Sequence, residues 1–185
     1  MKSPLLIVTA LESELKQFDL PSDVKVVFTG LGKINALLTT INAIQTYEPK
    51  LIINFGTVGK INPELSGLLS IRKVIQRDMA AEPLAPRGIT PFCPRPYEYF
   101  SVTGEHVCGT GDSFVTEHDP WLHEQKVDVV DMELFAIAAT AFSFNIPWHS
   151  FKYISDDANE DSGDQWKETM HHGHDLYMQK LNEFI

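Results

Sequence analysis

Cysteine is scarce in this 185-residue chain, with only Cys93 and Cys108 present. Their spacing matches neither a metal-binding nor a dithiol motif, so a disulfide scaffold and a thiol-based metal centre are both excluded. Clustered positive charge is missing as well. Fifteen Lys and Arg face twenty-five Asp and Glu, for a formal charge of −10. A nucleic acid or an anionic membrane would meet net repulsion, which leaves small molecules as the expected partners. The N-terminal apolar run Leu5 to Val8 is too short to span a bilayer. Glu12 and Glu14 follow it too closely for a secretory signal, so a cytoplasmic location is expected. Internal repeats and low-complexity segments are absent.

What is present is an ordinary globular balance, 43% hydrophobic and 22% charged residues. A single domain over residues 1–185 would bury roughly 70% of its unfolded surface. Leu5 to Val8 and Val24 to Phe28 read as strands, with Leu11 to Phe18 as a short helix between them. Ile34, Leu37, Leu38, Ile41 and Ile44 recur at helical spacing across Lys33 to Tyr47. Leu51 to Ile53 reads as a strand running into Gly56 and Gly59. Leu69 to Ile75, Tyr99 to Thr103, His106 to Cys108 and His149 to Ile154 read as further strands. Asp119-Pro120 has the form of a helix cap followed by proline at the first helical position. Met132 to Phe144 reads as a buried Ala-rich helix and Gln165 to Phe184 as a closing amphipathic one. Residues 78–98 carry five of the eleven prolines and no periodicity, the mark of a long loop with a function. Alternating strands and helices predict an α/β three-layer sandwich around a central mixed, mostly parallel sheet. Such sheets bind ligands beyond the carboxyl ends of their strands, where the glycine and acidic turns fall.

Three motifs have weaker claims on chemistry. Thr29-Gly30-Leu31-Gly32-Lys33 lies between a strand and a helix, yet its glycines are too close together for a phosphate loop. Ile34 also stands where such a loop needs Ser or Thr. Gly111-Asp112-Ser113-Phe114 has the look of an esterase nucleophile block, but the late Asp-x-x-His partner is missing. His171, His174 and Asp175 would share one helix face. A solvated face explains them better than a metal, so no metal and no cofactor are expected.

The carboxylates carry more. Glu14 follows the first strand, Glu133 opens the Ala-rich helix, and Asp156 follows the last strand. Singly, each could be a helix-terminal charge or a cap. Together, with glycine turns between them, they fall where one ligand would meet all three.

These blocks resemble the purine nucleoside phosphorylase superfamily, and within it the 5′-methylthioadenosine/S-adenosylhomocysteine nucleosidases. The resemblance rests on six segments: Ala10-Leu11-Glu12-Ser13-Glu14, Thr29 to Ala36, Asn54 to Gly59, Gly111 to Val115, Asp131-Met132-Glu133 and Ile154-Ser155-Asp156. It implies a nucleoside phosphorylase-like fold, a nucleoside substrate and a homodimer. It also implies that Asp156 acts as general acid on the leaving purine while Glu14 orients and deprotonates water. Glu133 would hold the ribose hydroxyls with Met132 beside the sugar, Phe114 would stack on the base and the Val115 backbone would read its edge. Thr57 would lie near the water, and Ser155 would stand beside Asp156 in the binding site. The phosphorylases of the superfamily carry a Gly-Asp-Pro-x-Arg-type loop after the first strand, whereas Ala-Leu-Glu-Ser-Glu stands here, which favours water over phosphate.

Three departures leave the 5′-substituent open between methylthio, homocysteinyl, the futalosine side chain and a plain hydroxyl. The Glu14–Thr29 interval is short, and Lys152 stands where many relatives have Arg. The Pro-rich segment Glu82 to Tyr97, expected beside the 5′ side of the substrate, differs from the common loop. The alternatives are another purine nucleosidase or phosphorylase, of futalosine or adenosine/inosine type, and a silent nucleoside-binding protein.

Overall fold

The structure is a computed structural model and describes residues 5–15, 20–169 and 172–185. Strand β1 (Leu5–Thr9) runs parallel to β2 (Val24–Phe28) on one side and to β3 (Leu51–Lys60) on the other. Helix α1 (Lys33–Tyr47) crosses between β2 and β3. The remaining strands are β4 (Leu68–Gln76), β5 (Glu98–Phe100), β6 (His106–Thr110), β7 (Val129–Asp131) and β8 (Trp148–Asp156). Helices α2 (Pro120–Glu124), α3 (Leu134–Ser143), α4 (Ser162–Thr169) and α5 (His174–Leu181) complete the fold. No helix among the described residues is long and apolar enough to cross a membrane.

The sheet is mixed, with β1–β2, β1–β3, β3–β8, β4–β6 and β6–β7 parallel and β3–β7, β4–β5 and β4–β8 antiparallel. The pairings also close on themselves, running β3, β8, β4, β6, β7 and back to β3. That closure is a feature the sequence reading did not contain. It gathers the ends of β3, β6, β7 and β8 in one place.

Side-chain alternation divides the core as a two-residue period requires. Leu6, Val8 and Ile52 join one apolar cluster with Ala36 and Ile44 of α1 and Leu134 and Ile137 of α3. Ile7, Ile53 and Phe55 join another with Tyr177 and Leu181 of α5, where Tyr177 stacks on Phe55 at 4.1 Å.

Several local readings need correction. Residues 12–15 form a turn and bend, not the start of a helix, and residues 16–19 of that expected helix lie outside the described residues. β3 does not stop at Ile53 but continues through Gly56 and Gly59. Those glycines mark close approaches inside the strand. A Cβ on Gly56 would stand 3.1 Å from Lys152 Nζ, and one on Gly59 would stand 2.5 Å from Asp156 Oδ1. The expected C-terminal helix is two helices, with Gly173 pressed so close to Tyr153 that a Cβ there would lie 2.5 Å from it. β7, three residues long, gave no periodic signal. The Asp119 cap is present, its side chain accepting from Trp121 N at 3.1 Å.

Leu6 is fully buried between α1 and the sheet. Leu6→Ala is expected to lower unfolding free energy by about 2–5 kcal/mol, read in urea as a lower midpoint at unchanged slope. A midpoint unmoved within error would show that this face of β1 does not carry the core.

Candidate active site

All eight residues named from sequence line one cavity: Glu14, Thr57, Phe114, Val115, Met132, Glu133, Ser155 and Asp156. Its empty volume, counting the space open to solvent at its mouth, is about 550 Å³. Ala10, Leu31, Val58, Gly59, Arg77, Ser113, Val130, Asp131 and Trp166 complete the wall. No residue of the Pro-rich segment 82–97 reaches it. That segment is docked elsewhere: Arg87 pairs with both carboxylate oxygens of Asp119 at 3.1 and 2.6 Å and lies over the Trp121 ring. Burial opposes the Asp119 charge, yet Arg87 holds its pKa below the ordinary carboxylate value.

Glu14 is 3% exposed. Its Oε2 accepts from Leu11 N at 3.1 Å and from the Thr9 hydroxyl at 3.3 Å. Its Oε1 accepts from Thr57 N at 3.0 Å and from the Thr57 hydroxyl at 2.7 Å. The turn after β1 therefore aims Glu14 across onto β3, and every one of these partners is a donor. Thr57 in turn accepts the indole N–H of Trp166 at 2.9 Å.

Asp156 ends β8 and is 7% exposed. Oδ1 accepts from Ala158 N at 3.1 Å, and Oδ2 accepts from the Ser155 hydroxyl at 2.9 Å. That hydroxyl has a second acceptor, Val58 O, at 3.3 Å.

Glu133 is the N-cap residue of α3 and accepts from Gly32 N at 2.9 Å. Asp112 accepts from Lys33 N at 2.7 Å, so two distant carboxylates satisfy the first N–H groups of α1. The Gly30–Lys33 turn thus receives carboxylates from the protein itself, which accounts for its glycines without a phosphate.

Two residues before Glu133, Asp131 forms an ion pair with Lys152 at 2.8 Å, both side chains 1% exposed. Asp131 also accepts from the Thr110 hydroxyl at 2.5 Å and from Leu134 N at 3.0 Å. Burial opposes both charges of the pair. The partners nevertheless hold the Asp131 pKa below, and the Lys152 pKa above, their ordinary values. Burial, and then the neighbouring Asp131 charge, push Glu133 from 4.5 up to about 7, against the pull of Lys152 and Gly32 N–H.

Arg77 is buried and donates to Gly111 O at 3.0 Å, to Ser113 O and to the Ser113 hydroxyl at 3.3 Å. It fixes the loop that carries Phe114, and burial lowers its pKa. Ser113 is therefore engaged with a buried cation, an arrangement unlike an esterase nucleophile's base partner. Arg77, Asp131, Lys152 and Trp166 were not named from sequence as site residues. Asp131, inside the Asp131-Met132-Glu133 block, and Lys152, standing where many relatives have Arg, gave a signal, and Arg77 and Trp166 gave none. His171 lies outside the described residues, so its trio with His174 and Asp175 cannot be placed. Among the described residues no group of three or more His, Cys, Asp or Glu could hold a metal ion.

A family model, that of the phosphorylase superfamily, matches residues 22–184. The chain belongs to the phosphorylase superfamily. It is 30% identical over 155 residues to the 5′-methylthioadenosine/S-adenosylhomocysteine nucleosidase of Staphylococcus haemolyticus, covering 71% of this chain and 67% of the other. It is also 30% identical over 181 residues to the nucleosidase of the same name from Listeria monocytogenes, covering 80% and 75%. These relatives place this superfamily member with the nucleosidases, which are glycosyl hydrolases. A point mutant of Helicobacter pylori MTAN, solved with 5′-methylthioadenosine in its active site, matches at a TM-score of 0.87 and 18% identity over 100% of both chains. The futalosine hydrolase of the same organism matches at 0.82 and 19% over 92% of each. Both likenesses show a shared fold.

The Glu133 shift has a measurable consequence for this superfamily member. Between about pH 4.5 and 7 the folded protein keeps a proton that the unfolded chain releases, so this group's contribution falls as pH rises through that window. Glu133→Gln imitates the protonated form and removes the dependence. Thermal melts should show the variant more stable than wild type at pH 8 and equal to it at pH 4.5. A difference independent of pH would contradict the raised pKa.

Proposed function

We propose that this chain hydrolyses the N-glycosidic bond of a 5′-modified adenosine of the methylthioadenosine/S-adenosylhomocysteine type, releasing adenine. The observation that carries this reading is the meeting of Glu14, Glu133 and Asp156, from three distant segments, on one cavity. The names of the relatives support the substrate class.

Glycosidic cleavage develops positive charge on the ribose as the bond to the base breaks. Glu14 faces the cavity as a carboxylate held by four donors, and a fixed negative charge there favours a cationic transition state over its neutral ground state. Asp156 in its protonated form gives its proton to the imidazole-ring nitrogen of the leaving purine. While Asp156 is protonated, the Ser155 hydroxyl turns to Val58 O. As the proton leaves, the hydroxyl turns back to Asp156 Oδ2 and stabilises the new carboxylate. Glu14 orients and deprotonates the attacking water, which competes for Oε2 with its longest partner, the Thr9 hydroxyl at 3.3 Å. Glu133 holds the ribose hydroxyls with Met132 beside the sugar, and Phe114, 45% exposed on the cavity wall, stacks on the base beside the Val115 backbone.

The carboxylate of Glu14, placed after β1, would repel phosphate, which supports hydrolysis over phosphorolysis. The reading includes a three-layer arrangement, supported by apolar clusters against α1 and α3 and against α5. It also includes a homodimer, supported by the exposed apolar residues Ile34, Leu37 and Leu38 of α1.

The test is chromatographic detection of free base from methylthioadenosine, S-adenosylhomocysteine, aminodeoxyfutalosine, adenosine and inosine, with and without phosphate. Adenine should appear from the 5′-modified adenosines without phosphate. Asp156→Asn should lower kcat at least a hundredfold, as expected for loss of a general acid. A strict phosphate requirement would overturn hydrolysis, and binding without base release would mean a nucleoside-binding protein.

A further inference from the structure

Trp166 lies on α4, outside the sheet that supplies the carboxylates, yet it reaches into the cavity wall. Its helix is registered to the end of β8 by two neighbours. Gln165 Oε1 accepts from Asp157 N at 2.9 Å, and the Thr169 hydroxyl donates to Ser155 O at 2.6 Å. From that footing the indole N–H donates to Thr57 Oγ1 at 2.9 Å, and Thr57 Oγ1 stands 2.7 Å from Glu14 Oε1.

The polarity of this chain is fixed by chemistry. An indole nitrogen can only donate, so Thr57 Oγ1 must accept there. A hydroxyl carries one proton, and Thr57's is therefore free to point at Glu14 Oε1. A phenylalanine at 166 would fill similar space but leave the Thr57 hydroxyl without that constraint, able to turn its proton away from the carboxylate. The ring also meets Phe114 edge-on at 6.4 Å, so one side chain borders both the residue assigned to the base and the one assigned to the water.

We propose that Trp166 is a positioning residue for the attack on the nucleoside, acting through Thr57 to hold the Glu14 carboxylate in its working orientation. This rests on the nucleosidase reading above. It predicts an effect on turnover more than on binding, because the N–H is spent on Thr57 Oγ1.

The experiment compares wild type, Trp166→Phe, Thr57→Val, Thr57→Ser and the two double variants by steady-state base release, with melts to confirm folding. Trp166→Phe should lower kcat about three- to tenfold, the usual range for one hydrogen bond, while KM stays within about twofold. The same substitution should cost the same factor in Thr57→Ser, which keeps the hydroxyl, and nothing further in Thr57→Val, which lacks it. An unchanged kcat in Trp166→Phe, or equal losses in the Thr57→Val and Thr57→Ser backgrounds, would overturn the proposal while the nucleosidase reading stood. Wild type that releases no base from any nucleoside would overturn both.

Discussion

The ion pair between Asp131 and Lys152 is the contact on which the rest of this structure depends. Asp131 ends β7, Lys152 lies in β8, and their 2.8 Å contact sits where almost no solvent reaches. Asp131 also receives the Thr110 hydroxyl from the end of β6 and the Leu134 N–H at the start of α3. One carboxylate thereby joins three strands of the closed circuit to a helix. Gly56 of β3 leaves the room that the ammonium occupies. Burying such a pair is no guarantee of net stability, since desolvation can exceed the Coulomb gain. Breaking one is a different matter, because a lone charge is then stranded in the interior.

The same pair sets the electrostatics of the cavity. The Asp131 charge, together with burial, pushes Glu133 up to about 7, and Lys152 restrains that rise. A site with more carboxylates than cations is costly to build, and the fold meets the cost with donors. Glu14 receives four, Asp156 two and Asp131 three. Several of those donors come from strand ends and turns, while Thr57 and Lys152 donate from within β3 and β8. The carboxylates are thus held in fixed orientations, which is what preorganised electrostatic stabilisation requires.

Elements defined by local pattern were legible in the chain. β1, β2 and α1 follow from short apolar runs and a helical period, and the Asp119 cap from its own dipeptide. What failed was whatever depends on distant partners. Gly56 and Gly59 read as turns because their reason for being glycine, the approach of Lys152 and Asp156, lies about a hundred residues away. Gly173 is tolerable in a helix by propensity alone, and only its pressure on Tyr153 marks the division of the last helix. The eight residues that meet on the cavity were named from short blocks of family resemblance, and their roles rest on that resemblance. Trp166 was not, since nothing near it in sequence announces a partner 109 residues earlier. Asp131 and Lys152 are each visible as charged residues in apolar strands, but their pairing is a property of the closed sheet.

The most direct test of this account is a double-mutant cycle on the pair, with unfolding free energies in urea for wild type, Asp131→Asn, Lys152→Met and the double variant. Lys152→Met is expected to lose about 3–5 kcal/mol by stranding a buried charge. The double variant should recover much of that, giving a coupling of about 2 kcal/mol or more. Small, additive losses below about 1 kcal/mol, the range of an exposed pair, would contradict the central place given to this contact.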